Sequence, residues 1–568
     1  MPETYLSLDI GKNQTQAWLF AQRDGMWAVQ AASSVPTVLD GDGSQFRKSI
    51  QTLLSQIEQS GDVQLLDNHG QITNIRRLEG APAFVGMSLS AGKPVKAALI
   101  GLSEAYSIAP LRRLVSLFNC EVVLEVNLQD NLNASAQLER LLTSDIELYV
   151  IGGGANGGAQ KTLKAAIENL RLVYHLIPRT VRHQIVYCGN QDLAEYAESE
   201  IEAGLDMHLA SNIQTNPGQE DPTLVWKAML KAFDRLRLQQ IPGLADIVND
   251  LHTSVIPSDF SAGRMVRFLE RSSENGKGVL MVHVDADEVR VIAARDQKLN
   301  GIAHHCQVND EVLRMARGLS SQVTDANSFA NYVYNRALFP DFTPATLEDL
   351  GIEQAWARVR IREALNALQK LDPDFGYNPS LGLTRAYEPI ILSGSEMHLA
   401  LPHQGLMIAL DGILPHGITT FLQDEHQLLT ALGSLAPHEP LLPVQVMDTE
   451  VFTNLATVVT VDTPISDGQM VLQIEVNEGE QTPRLYHKIQ MGDLKRIETL
   501  QNNKTELYLA PEDESDVGMG LPGLGGWVGV MESKVGVVVD ARGRPLKLPS
   551  DEIARAEALH NWLWELGG

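Results

Sequence analysis

The sequence predicts a multidomain α/β protein. Three observations carry that expectation. Apolar runs of strand length alternate with helix-length stretches of helical periodicity, a strand-strand-strand-helix group recurs late in the chain, and 568 residues exceed what one hydrophobic core holds. At roughly 100 to 200 residues per domain, about three to five domains are expected.

The composition, 44% hydrophobic and 20% charged, is that of folded proteins and excludes wholesale disorder. Lys+Arg number 45 and Asp+Glu 71, a net charge of −26 whose field repels phosphate backbones and anionic lipid. Nucleic acid and membrane are therefore not expected as partners, although a local basic cleft stays open. The three cysteines, Cys120, Cys188 and Cys306, are too few and scattered for a disulfide framework or a Cys-x-x-Cys site. The first residues lack a basic-then-apolar leader, and the apolar stretch Leu521 to Val539 is broken by Glu532 and Lys534. A soluble cytoplasmic protein is expected.

The first 35 residues read as three strands, Tyr5 to Asp9, Gln16 to Ala21 and Trp27 to Ala32, separated by turn signals at Gly11 and at Asp24-Gly25. A helix from Gln45 to Gln59 carries Phe46, Ile50, Leu53, Leu54 and Ile57 on one face, and a strand at Ala83 to Met87 runs into a small-residue loop. From Lys96 to about Ala210 the pattern changes to strands at Ala97, Glu121, Leu148 and Gln184 with helices between them, a doubly wound arrangement. A helical connector follows, broken at Pro242 and Pro257. Strands at Val279 to Val284, Val289 to Ala294 and Gly301 to Cys306, three helical stretches and the strand Pro389 to Leu392 then repeat the opening layout. After Pro437 short β runs dominate until a last helix, Glu552 to Leu566. The expected division is 1–95, 96–221, 222–277, 278–436 and 437–568.

Asp9-Ile-Gly11 ends the first strand, with Thr15 entering the second. A carboxylate beside a glycine turn offers a cradle for phosphate or hydrated Mg²⁺; the alternative is an ordinary hairpin turn. Far along the chain, Ile390-Ile-Leu-Ser-Gly394-Ser395 ends another strand in two small residues. Gly152 to Gly158 before Lys161 departs from P-loop spacing and leaves two readings, a helix amino terminus for an anion or a packing turn. His304-His305-Cys306 sits on a strand whose neighbours face opposite sides, so a structural role is expected. Asp285-Ala-Asp287 is either a metal-binding Asp-x-Asp or a tight turn.

The arrangement as a set resembles a known family. Leu8 to Thr15 resembles the first phosphate loop, and Ile390 to Pro402 the adenosine loop, of the actin, sugar-kinase and Hsp70 superfamily. Val85 to Gly92, Ala98 to Leu102, Ile151 to Gly158 and Val186 to Asn190 add a middle insertion, and the whole resembles the glutamate mutase-associated MutL-type (GlmL) family over about residues 1 to 460. The resemblance implies a two-lobed actin-like ATPase (ribonuclease H-like) fold with an inserted Rossmann-like domain and a β-rich carboxyl-terminal domain. It implies an ATP-binding accessory protein that acts as chaperone or reactivating partner of an adenosylcobalamin-dependent mutase. On the family pattern Asp9 would hold Mg²⁺ and serve any hydrolysis, Gly11 and Thr15 would face phosphates, and Gly394 and Ser395 would lie against adenosine.

The second phosphate loop departs from the family. Its Gly-Gly pair is missing from Val282-His283-Val284-Asp285-Ala286-Asp287-Glu288-Val289-Arg290. A phosphate brought near Asp285 would meet like charge, about 4 kcal/mol for unit charges ~4 Å apart at an effective dielectric near 20. Weak nucleotide binding and little hydrolysis are expected. A nucleotide-independent scaffold with no cofactor is the alternative. A sugar or acid kinase would need a catalytic aspartate in the second lobe that the pattern does not place.

Overall fold

The computed structural model describes residues 3–567 apart from 131–133, 159, 177–182, 202–205, 217, 341, 448–451, 478–483 and 499–504. The chain forms two compact units, one of residues 1–265 with 429–449, the other of residues 266–428 with 450–568.

In the first unit, Thr4–Ile10, Gln14–Arg23 and Met26–Pro36 form an antiparallel meander. Thr4–Ile10 is buried throughout as the central strand, with Phe84–Leu89 parallel on its other edge, which agrees with its near-continuous apolar run. The helix Ser44–Gly61 buries the five expected apolar residues. The expected connector holds a strand that the periodicity did not reveal: Val255–Pro257 pairs parallel with Met87 to Leu89 and completes the sheet. Three residues are too few for a period, and Pro257 is tolerated because the strand is an edge. In chain order the sheet reads third, second, first, fourth, fifth.

Between the fourth and fifth strands the chain builds a parallel five-stranded sheet, in the spatial order Cys120–Asn127, Val95–Gly101, Leu148–Gly153, Gln184–Gly189, Asp206–Leu209. Helices such as Lys161–Leu176 bury Leu163, Ile167 and Leu170 in its core. This is the doubly wound sheet expected from the alternation. At its glycine run, a side chain on Gly152 would press on Leu111 at 3.0 Å and one on Gly153 on the Ser107 hydroxyl at 2.6 Å. The Gly157 amide donates to the Asp192 carboxylate at 3.0 Å, so the packing-turn reading is the one the geometry favours.

The second unit repeats the strand order of the first. Gly278–Val284, Val289–Arg295 and Lys298–His304 form the meander, Tyr387–Ser393 lies parallel to the first of these, and Ile418–Gln423 lies beyond it. The third strand begins three residues before its expected start and ends before His305 and Cys306. The helix Leu347–Leu371 starts at a capping box, with the Thr346 hydroxyl accepting from the Asp349 amide at 3.0 Å, a device worth about 1 kcal/mol. The carboxyl-terminal β region contributes to the same sheet. Thr453–Thr460, Val537–Asp540 and Leu494–Ile497 extend it to eight strands, while a four-stranded antiparallel sheet stands apart from it. The twice-used order, an antiparallel meander followed by two parallel strands, is that of the actin-like ATPase (ribonuclease H-like) fold.

No helix among the described residues is long and apolar enough to cross a membrane.

Candidate functional site

Asp9 stands at the carboxyl end of the central strand of the first sheet, mostly buried at 8% exposure. Its Oδ1 accepts two hydroxyls, from Ser88 on the fourth strand at 2.7 Å and from Ser258, just past the fifth, at 2.6 Å. Asp9 Oδ2 takes no hydrogen bond from the described residues. A carboxylate anchored through one oxygen with the other uncommitted suits a hydrated divalent cation. Ser88 lay in the small-residue loop noted in the sequence; Ser258 had no signal beyond following Pro257.

Gly11 and Thr15 are occupied within the turn. The Gly11 amide donates to the Gln14 carbonyl at 2.9 Å, and a Cβ on Gly11 would sit 2.6 Å from that oxygen. Thr37 Oγ1 donates its single proton to the Gly11 carbonyl at 2.8 Å, so Thr15 Oγ1, 2.8 Å from Thr37 Oγ1, is the donor of that pair. Both groups expected to face phosphates thus make hydrogen bonds that close the hairpin.

Asp285, Gly394 and Ser395 come together in the second unit. Residues 285–288 form a tight turn, closed by the Asp285 amide donating to the Glu288 carbonyl at 3.0 Å, so Asp285-Ala-Asp287 takes the turn reading rather than the strand of a metal motif. Asp285 Oδ1 accepts the Ser395 amide and hydroxyl, each at 2.9 Å. Its Oδ2 accepts from Arg290 Nη2 at 2.9 Å and lies 2.7 Å from His283 Nε2. Burial would raise the Asp285 carboxyl, but His283, Arg290 and the Ser395 amide outweigh it and hold the group well below the usual range. Beneath the turn, buried Arg360 donates to the Asp285 and Ala286 carbonyls at 2.5 and 2.9 Å and pairs with Glu396. Gly394 has φ 100°, and a Cβ there would lie 2.3 Å from the Val284 carbonyl oxygen. The Ser395 amide and hydroxyl, on a loop expected to lie against adenosine, are engaged by Asp285, and Arg290 neutralises the charge expected to repel phosphate. His283 and Arg290 lie within the segment Val282 to Arg290 that the sequence marks as the second loop; Arg360, some 70 residues on, left no sequence signal.

His304, His305 and Cys306 hold no common centre. His305 packs on the same turn, with Nδ1 3.0 Å from the Asp287 carbonyl. Burial lowers the His304 pKa and pushes the Cys306 thiol up to about 11. Among the described residues no group of three or more His, Cys, Asp or Glu is arranged to hold a metal. The three cysteines are free.

The family model described as MutL protein matches residues 5–451. This chain belongs to that family. No curated protein matches it. Among solved structures it is similar to a glycerol dehydratase reactivase (10% identity, 77% of this chain and 100% of that one, TM-score 0.30). It is also similar to the ethanolamine utilization protein EutJ from Carboxydothermus hydrogenoformans (8% identity, 76% and 89% covered, TM-score 0.27). A third is a diol dehydratase-reactivating factor in nucleotide-free form (10% identity, 72% and 94% covered, TM-score 0.28). These superpositions are loose, and the fold of this MutL-family chain rests on its own strand order.

Proposed function

We propose that this MutL-family protein is a cytoplasmic accessory protein of ATPase fold that acts as chaperone or reactivating partner of an adenosylcobalamin-dependent mutase. Family membership over residues 5–451 supports the class of role. The single observation supporting nucleotide use is Asp9, held by Ser88 and Ser258 through Oδ1 with Oδ2 uncommitted. In this reading Asp9 takes the Mg²⁺ of Mg-ATP. The five segments 1–95, 96–221, 222–277, 278–436 and 437–568 are its working parts, the second being the parallel sheet.

A second reading, a nucleotide-independent scaffold without cofactor, is favoured by the occupied state of Asp285, Ser395, Gly11 and Thr15. Thermal denaturation with and without Mg-ATP separates the two. A ligand at 100 times its dissociation constant stabilises by about 2.7 kcal/mol, so the wild-type melting temperature should rise and that of Asp9→Ala should not. An unmoved wild-type transition at millimolar Mg-ATP leaves the scaffold. The partner is tested by adding the protein and ATP to an inactivated adenosylcobalamin mutase and following return of its activity.

A further inference from the structure

Away from Asp9, the first unit contains a cavity of about 230 Å³ where the strands Phe84–Leu89 and Val255–Pro257 meet the helix Thr223–Gln240 and residues 434–438. Its walls are largely apolar, with Phe84, Met87, Ile256 and Pro437 contributing, and the His438 ring stacks on Phe84 at 3.5 Å between centroids. Arg264 lines the same space.

The surroundings of Arg264 are unusual for an arginine. Its guanidinium lies over the Phe260 ring at 4.8 Å and donates to the Gly433 carbonyl at 3.2 Å, and it forms no ion pair among the described residues. Burial lowers its pKa to about 10, which leaves it charged at neutral pH, and no acidic group counters that effect. Asp234 also lines the cavity, but its Oδ1 accepts the Val255 amide at 2.7 Å, and burial raises its pKa. The other cation, Lys231, is solvent-exposed. A partly desolvated guanidinium without a carboxylate costs free energy that an anion would recover, and its planar fork matches a carboxylate bidentately.

We propose that this cavity binds a small organic monocarboxylate, its carboxylate on Arg264 and its apolar body against Phe84, Met87 and Ile256. One guanidinium suits one negative charge. A phosphate dianion would need more donors than this site offers. The cavity shares no residue with the Asp9 turn, so this proposal stands or falls separately from the nucleotide reading.

The test uses the full chain with phenylacetate and isovalerate as probes, read by saturation-transfer NMR and calorimetry, against phenylacetamide and inorganic phosphate. At least one carboxylate should bind, the amide should not, and Arg264→Gln should weaken binding by at least about tenfold, as expected for loss of a charged hydrogen-bonding partner. Should Arg264→Gln fail to fold, wild-type protein is labelled with phenylglyoxal and mapped by mass spectrometry, where the bound carboxylate should protect Arg264. Absence of binding by both carboxylates, equal binding of the amide, tighter binding of phosphate, undiminished binding by a folded Arg264→Gln, or no protection of Arg264 would each overturn the proposal.

Discussion

Asp285 and Ser395, 110 positions apart, are joined by two hydrogen bonds, the carboxylate Oδ1 of the first accepting both the amide and the hydroxyl of the second at 2.9 Å. The relationship ties the tight turn at residues 285–288 to the strand-to-helix turn that follows Tyr387–Ser393.

Asp285→Ala should therefore destabilise the second unit by about 2–4 kcal/mol, because it removes the buried carboxylate that Arg290, His283 and the Ser395 amide share. Ser395→Gly, which keeps the amide, should cost only about 1 kcal/mol. Since the folded carboxyl lies below its ordinary value, its stabilisation is complete above about pH 4 and is lost as pH falls through the lower folded value. Urea melts should show the gap between wild type and Asp285→Asn closing in acid; a gap independent of pH would remove the electrostatic account.

Gly394→Ala should destabilise by more than about 2 kcal/mol with or without nucleotide, because φ is 100° and the added methyl meets the Val284 backbone. A variant as stable as wild type would show that the close approach is not obligatory.

Buried Glu396 lies beside Glu353, Arg336 and Arg360. Burial, reinforced by the Glu353 charge and only partly offset by Arg360, lifts its carboxyl well above the usual range. A raised acid stabilises the fold below its unfolded pKa and loses that contribution as pH rises through the folded value. Glu396→Gln, which does not titrate, should have a higher melting temperature than wild type near about pH 8, the difference shrinking towards about pH 5. Calorimetry across that range checks it, and an opposite slope would refute the direction.

Arg542, fully buried, joins Asp540 at 2.9 Å to Asp411 at 2.8 Å, and Arg544 reaches the same Asp540 at 3.0 Å. The run Asp540-Ala-Arg542-Gly-Arg544 thus fastens the carboxyl-terminal strands to the helix Pro402–Ile413. Arg542→Met should cost about 3 kcal/mol by removing the buried cation that Asp540 and Asp411 share, which leaves each carboxylate a single arginine, Arg544 and Arg358 respectively. Limited proteolysis should then release fragments beyond residue 451 that the wild type retains; an unchanged digest would place the anchorage elsewhere.

Much of the architecture was legible in local pattern. The helix over Phe46 to Ile57 and the strands around Leu8, Val282 and Ile391 came out within a few residues, because burial imposes a period of two or 3.6 on the chain itself. Val255–Pro257 stayed hidden because a three-residue edge strand has no period to show. The membership of residues 453–460 and 537–540 in the sheet of Gly278–Val284 stayed hidden because strand order is a long-range choice.

The sequence alone determined the α/β class, the repeated strand group and the inserted parallel sheet, and it singled out Asp9, Asp285, Gly394 and Ser395 as candidates. Only tertiary structure decided what those residues touch: Ser88 and Ser258 on Asp9, Ser395, Arg290 and His283 on Asp285, and the Val284 backbone on Gly394. The reason is physical. Periodicity reports whether a side chain is buried, whereas hydrogen bonds between residues 79 to 249 positions apart depend on which strands become neighbours, and no local window contains that information.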